Sequence, residues 1–262
     1  MKHHKIIEHI TNWLKNYLQT NGLNGFVLGI SGGIDSALVS TLCAKTGFPV
    51  YCLEMPIHQE KNQDNRAVAH INWLKKNFQT VKSSRIDLTS TFEEMKTVLP
   101  HHQNREKEDL SLANTRARLR MTTLYYLAGL EGLVVAGTGN KIEDFGIGFY
   151  TKYGDGGVDI NPTADLTKSQ VYELADHLEI IPEIIKAKPT DGLFGDDRSD
   201  EEQIGATYPE LEWAMQVYEE GKTETDFEGR KLEVFLLYKR RHEINQHKWK
   251  PIPVCEIPKK LL

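Results

Sequence analysis

The chain has 262 residues, 39% of them hydrophobic and 26% charged, with a formal net charge of −5 at pH 7. This is enough to bury a core in one domain. The acidic balance argues against a nucleic-acid partner, and no apolar run is long enough for a membrane span or a signal-peptide core. The three cysteines, Cys43, Cys52 and Cys255, are odd in number, scattered and free of Cys-x-x-Cys spacing, which points to a reducing cytoplasm rather than to disulfides or zinc.

Residues 6–19 place Ile6, Ile7, Ile10, Trp13, Leu14, Tyr17 and Leu18 on one helical stripe. Phe26–Leu28 is short and apolar, the pattern of a buried strand. Gly29, Ser31, Gly32 and Gly33 follow as a turn a ligand can approach closely, and the stretch from Ala37 to Leu42 reads as the helix leaving it. Strand, glycine turn and helix start together form an anion site, because exposed N–H groups and the helix dipole both favour phosphate. No lysine ends the loop, so it is not a Walker A motif, and the glycine spacing does not fit a dinucleotide fingerprint. Asp35 beside a polyphosphate is repulsive unless a divalent cation lies between them, so it predicts Mg²⁺.

Further along, Val50–Leu53 reads as a second strand stopped by Pro56, and 65–78 as a helix. A weaker strand spans 81–88, and a short helix over 91–99 ends at Pro100. The polar stretch 101–109 reads as a mobile loop, and 110–130 as a long helix bearing Arg116, Arg118 and Arg120. Leu133–Ala136 should be a buried strand whose end, Gly137-Thr138-Gly139, is functional. Residues 139–167 read as a long functional loop. Thr167-Lys168-Ser169-Gln170 is a capping box that starts a helix. A lysine in that first turn is unfavourable unless it reaches an anion. The acid run 196–202 reads as a solvated helix start, and Thr225–Glu228 as a second capping box before the helix that carries Leu232, Val234, Phe235, Leu237 and Tyr238. Strands alternating with helices predict an α/β fold: a doubly wound parallel sheet flanked by helices, with further helices at the C-terminal end. Ligands would sit at the carboxyl ends of the strands.

The Ser31-Gly32-Gly33-Ile34-Asp35-Ser36 string resembles the pyrophosphate loop of the ATP pyrophosphatases, whose fold is the adenine nucleotide alpha hydrolase-like one. The string Gly148-Phe149-Tyr150-Thr151-Lys152-Tyr153-Gly154-Asp155-Gly156-Gly157-Val158-Asp159 narrows the resemblance to NAD synthetases. So do Gly137-Thr138, Glu143, Leu166-Thr167-Lys168, Lys188-Pro189-Thr190, Asp200-Glu201-Glu202 and His247-Lys248, in that order along nearly the whole chain. With the phosphate loop opening at Gly29 there is no space before it for a nitrilase-like glutaminase domain, so the chain resembles the short, single-domain, ammonia-dependent form.

The resemblance implies that deamido-NAD⁺, ATP and ammonia give NAD⁺, AMP and pyrophosphate through an acyl-adenylate. It implies that Gly29, Ile30, Ser31, Gly32, Gly33, Ile34, Asp35 and Ser36 hold ATP together with Thr138, Lys168 and Thr190. Asp35 and Glu143 would bind Mg²⁺. Arg118, Lys152, Asp159, His247 and Lys248 would hold deamido-NAD⁺, and Asp155 would orient or deprotonate ammonia. Lys168, Asp35 and Asp155 are thus the expected catalytic residues, in a cytoplasmic homodimer. Many members have a basic residue before the proline that follows strand two. Here the segment is Glu54-Met55-Pro56-Ile57-His58-Gln59, which leaves the contacts to adenine open. The neighbours of Glu143 are not carried over. Two alternatives remain: another pyrophosphatase that amidates or thiolates a nucleotide or tRNA, and a non-catalytic nucleotide sensor.

Overall fold

The structure is a computed structural model that describes residues 1–59, 61–190 and 199–262, and for 61–64 the backbone path alone. In chain order it runs α1 (His3–Asn21), β1 (Gly25–Gly29), α2 (Ile34–Lys45), β2 (Val50–Glu54), α3 (Lys61–Asn77), β3 (Val81–Arg85), α4 (Thr89–Val98), α5 (Arg105–Glu131) and β4 (Leu133–Val135). A π-helical turn (Ile142–Ile147) follows, then α6 (Lys168–His177), α7 (Pro182–Ile185), α8 (Asp200–Ile204), α9 (Tyr208–Glu219) and α10 (Gly229–Asn245). The four strands form one parallel sheet in the order β3-β2-β1-β4. The apolar run of β1 is needed because both sheet faces are covered. Phe26 and Leu28 pack into the core shared with α1, α2 and α6, while Val27 packs on the opposite side with Leu53, Phe92 and Val135. A third core joins Ile142 and Ile147 of the π turn to Leu211 of α9 and Val234 and Tyr238 of α10.

The doubly wound sheet is as expected, but local readings needed correction. Residues 105–109 are not a loop but the first turn of α5. Asn104 caps it, its side chain accepting from the Lys107 amide at 3.1 Å, and Glu106 and Glu108 suit the positive end of the helix. The presumed loop 139–167 contains the π turn, closed by Gly148 in the left-handed region (φ 64°). The second capping box lies two residues earlier than expected. Thr223 and Asp226 close a short 3₁₀ turn, and α10 begins without a side-chain cap. Of the acid run, 196–198 lie outside the described residues. Asp200 is buried rather than solvated, and the box that starts α8 is Ser199 with Glu202.

Candidate active site

The β1–α2 turn is built from its own side chains. Ser31 Oγ accepts from the Gly33 amide at 3.2 Å, and Ser36 Oγ donates to the Gly33 carbonyl at 3.0 Å. Gly32 has φ 79°, which favours glycine there. Gly33, as the N-cap of α2, has no side chain to offer the first-turn amides, so helix dipole and amides both face the cleft. Arg66 of α3 donates through Nε to the Gly32 carbonyl at 3.2 Å, bringing a cation to the rim of the turn.

Behind the turn lies a buried charged cluster. Lys168 Nζ contacts Asp35 Oδ2 at 2.7 Å and Glu143 Oε1 at 3.0 Å, with the lysine side chain only 4% exposed. Asn140, fully buried, donates to Asp35 Oδ1 at 3.1 Å and accepts from the Glu143 amide at 3.2 Å. Tyr208, the first residue of α9, donates its hydroxyl to Glu143 Oε1 at 2.6 Å, and its ring centroid lies 4.8 Å from Lys168 Nζ. Burial alone would discharge the lysine, but the two carboxylates more than offset it and hold its pKa up. Burial likewise pushes Asp35 up, only partly countered by Lys168. For Glu143, Lys168 and the Tyr208 hydroxyl outweigh burial and keep it below the usual carboxylate range. Lys168 therefore has its anions, but in this geometry they are carboxylates of the protein.

Asp155 lines the same cleft and accepts from the Thr151 amide at 3.0 Å, and partial desolvation there pushes its pKa up. Nearby cations brace the backbone around Tyr150 and Lys152. Lys248 Nζ donates to the Tyr150 carbonyl at 2.7 Å and to that of Gly148, Lys152 Nζ donates to the His247 carbonyl, and Arg118 reaches the Lys152 carbonyl at 3.3 Å. His242 and Asn245 of α10 take the Gly146 and Ile147 carbonyls at 2.7 and 2.8 Å. Asp159 uses both oxygens within the fold, accepting from the Val135 amide and the Tyr125 hydroxyl, each at 2.9 Å.

One cleft is therefore lined by the whole Gly29–Ser36 turn, Thr138, Glu143, Asp155, Lys168 and Thr190. Arg118, Lys152, Asp159, His247 and Lys248 do not line it; all but Asp159 form the clamp just described. Arg66, Arg120, Asn140, Asp144 and Tyr208 were not singled out for the site from the sequence. Arg120 spans from α5 to the segment after β2, donating to the Met55 carbonyl at 2.9 Å and to Gln59 Oε1 at 3.1 Å. Burial lowers its pKa to about 10. Its spacing from Arg118 on a long helix was the only available signal. Two partly buried carboxylates at the foot of the glycine turn are hard oxygen donors, and with phosphate oxygens and water they fit Mg²⁺.

A family model for NAD synthase matches residues 6–252. The chain is 36% identical over 258 residues to the NH₃-dependent NAD⁺ synthetase of Carboxydothermus hydrogenoformans, covering 96% of each chain. It is 34% identical to that of Methanosarcina acetivorans, covering 98% of this chain and all of the relative. Among solved structures, it resembles an NMN synthetase from Francisella tularensis (TM-score 0.83, 29% identity, 98% and 100% coverage). It also resembles the NH₃-dependent NAD synthetase of Campylobacter jejuni (TM-score 0.79, 27% identity, the same coverage).

Proposed function

The chain belongs to the NAD synthase family, and we propose that it is an ATP-dependent ligase that amidates deamido-NAD⁺ with ammonia. The nicotinate carboxylate is a poor acyl donor until it is activated. Its attack on the α-phosphorus of ATP expels pyrophosphate and leaves an acyl-adenylate. Ammonia then attacks the carbonyl carbon, and AMP departs with the electron pair of the broken C–O bond. The supporting observation is the placement of Lys168 Nζ at 2.7 Å from Asp35 and 3.0 Å from Glu143, at the foot of the glycine turn.

In this reading Gly29, Ile30, Ser31, Gly32, Gly33, Ile34 and Ser36 hold the triphosphate with Thr138 and Thr190. Asp35 and Glu143 hold Mg²⁺, which would neutralise the leaving pyrophosphate. Lys168 stands beside them, its charge directed at the same phosphates. Asp155 receives ammonia. Arg118, Lys152, His247 and Lys248 shape the pocket for deamido-NAD⁺ through the loop they brace, and Asp159 supports that pocket from the end of β4. A homodimer is supported by Tyr126 and Leu130, large apolar side chains one turn apart on α5 and 69% and 62% exposed. The free cysteines support a cytoplasmic setting, and no helix among the described residues is long and apolar enough to cross a membrane.

The test is pyrophosphate release from MgATP and deamido-NAD⁺, with ammonium or glutamine as nitrogen donor. Release with ammonium, matched by NAD⁺ and near zero with glutamine, is expected. A parallel reaction with nicotinate mononucleotide checks a second reading, favoured by the likeness to the Francisella NMN synthetase, in which the same chemistry acts on the smaller substrate. No release with either substrate would overturn the assignment.

A further inference from the structure

Once ATP and the dinucleotide occupy the front cleft, ammonia, the last reactant, still has to reach the acyl group. The structure offers it a second approach. The π turn and its N-cap alternate between two cavities: Glu143 and Asp144 line the front cleft, while the N-cap Lys141 and Phe145 line a groove behind it, about 1190 Å³ in volume, between α1 and the C-terminal helices. The segment before α6 behaves the same way, with Gly157 and Val158 on the front side and Asn161 and Ala164 on the groove side. A hydrogen bond from Asn161 Nδ2 to Asp144 Oδ2 joins a groove-lining residue to a cleft-lining one. Its fit is tight, since a Cβ on Gly139 would collide with the Asp144 carboxylate. Asn161 Oδ1 is buried and has no partner among the described residues, an acceptor waiting for a donor.

We infer that the rear groove is the entry for ammonia and that the Asp144–Asn161 pair is its gate. NH₃ is small, neutral and a hydrogen-bond donor. Asn161, which lines the groove, offers it the buried Oδ1 acceptor once the pair parts, Asp144 stands on the cleft side, and Asp155 lines the same cleft. A rear entry also lets the front stay shut over the acyl-adenylate, which water would otherwise hydrolyse. This inference rests on the amidation reading above.

The test uses two variants of the full chain. Ala164→Trp fills the groove from its own wall, and Asn161→Leu removes both polar atoms of the gate. For each, a rise of about tenfold or more in KM for ammonium is expected, with KM for ATP and kcat at saturating ammonium held within about twofold. At low ammonium, NAD⁺ formation in a single turnover should lag behind pyrophosphate release, as the adenylate waits for ammonia. Should Asn161→Leu melt early, Ala164→Trp, which leaves both polar side chains of the gate in place, decides alone. An unchanged KM for ammonium in a folded Ala164→Trp overturns the entry route while leaving the amidation reading intact. A wild-type chain that makes no amide from ammonium overturns both.

Discussion

Replacing Tyr208 with Phe removes one oxygen and keeps the ring over Lys168. The lost hydroxyl donates to Glu143 Oε1 at 2.6 Å inside a buried cluster. A hydrogen bond to a charged group contributes about 1.5–3 kcal/mol, and losing a partner that orients a metal ligand typically weakens metal binding by roughly 10–100-fold. The two estimates agree, since about 1.4 kcal/mol is tenfold. The direction with pH also follows. The Tyr208 hydroxyl helps Lys168 hold Glu143 below the usual carboxylate range against the opposing effect of burial. Without the hydroxyl, Glu143 binds its proton more tightly, and a cation must displace that proton. The expected outcome for Tyr208→Phe is a Mg²⁺ midpoint about 10–100-fold higher, with the shift larger at acidic than at alkaline pH. Turnover should recover at high Mg²⁺. Mn²⁺ binding in the presence of ATP, followed by electron paramagnetic resonance, reads the affinity without relying on turnover. A midpoint equal to wild type at both ends of the pH range would refute the argument that Tyr208 acts through Glu143.

Lys168→Met strands two buried carboxylates. It should lower turnover by about 10²–10³ and, unlike a surface lysine change, destabilise the fold by about 3–5 kcal/mol at neutral pH; calorimetry should show that loss shrinking as acid protonates Asp35 and Glu143. His70 is buried against Ser40 Oγ (3.0 Å), and burial lowers its pKa to about 4. Between that value and the ordinary histidine range near 6.5 the unfolded chain binds more protons, so stability rises with pH there by up to about 3 kcal/mol. Urea unfolding of His70→Gln should show a flatter slope across the same window, and an identical slope would remove His70 from the account. Asp159→Asn can accept only one of the two bonds that Val135 and Tyr125 now give. It should lower Tm by about 2–4 °C, for a loss of about 1 kcal/mol at a solvent-facing site, with KM for deamido-NAD⁺ little changed. A raised KM at unchanged Tm would make Asp159 a substrate contact instead of a brace.

What the sequence disclosed was mainly local. The phosphate turn is contiguous, so strand, glycines, Asp35 and Ser36 could be read as one unit. Lys168 stood out because its helix turn disfavours a cation. The polar stretch 105–109 misled because polarity alone does not separate a loop from the exposed first turn of a helix; Asn104 followed by two acids was the missed signal. Tyr208 meets Glu143 across 65 residues of chain, and no periodicity carries such a pairing. The π turn left no pattern either, because one extra residue in a single turn does not alter an apolar period. The roles of Lys152, His247 and Lys248 were read as ligand contacts from a resemblance of motifs. The fold also uses them to tie one backbone segment to another, a use that motif identity does not distinguish.

The grip of α10 on the π turn has a consequence for how the molecule opens. His242 and Asn245 of α10, with Lys248 three residues past its end, take the Gly146, Ile147 and Gly148 carbonyls in succession, and Val234 and Tyr238 share a core with Ile142 and Ile147. Glu143 is on that same turn, so this acid at the foot of the glycine turn and the last long helix should unfold as one cooperative unit. Amide hydrogens of Glu143 and of mid-α10 should then exchange with the same opening free energy. Damage to the C-terminal helix would reach the reaction centre as a loss of order, without any side chain of that helix entering the cleft.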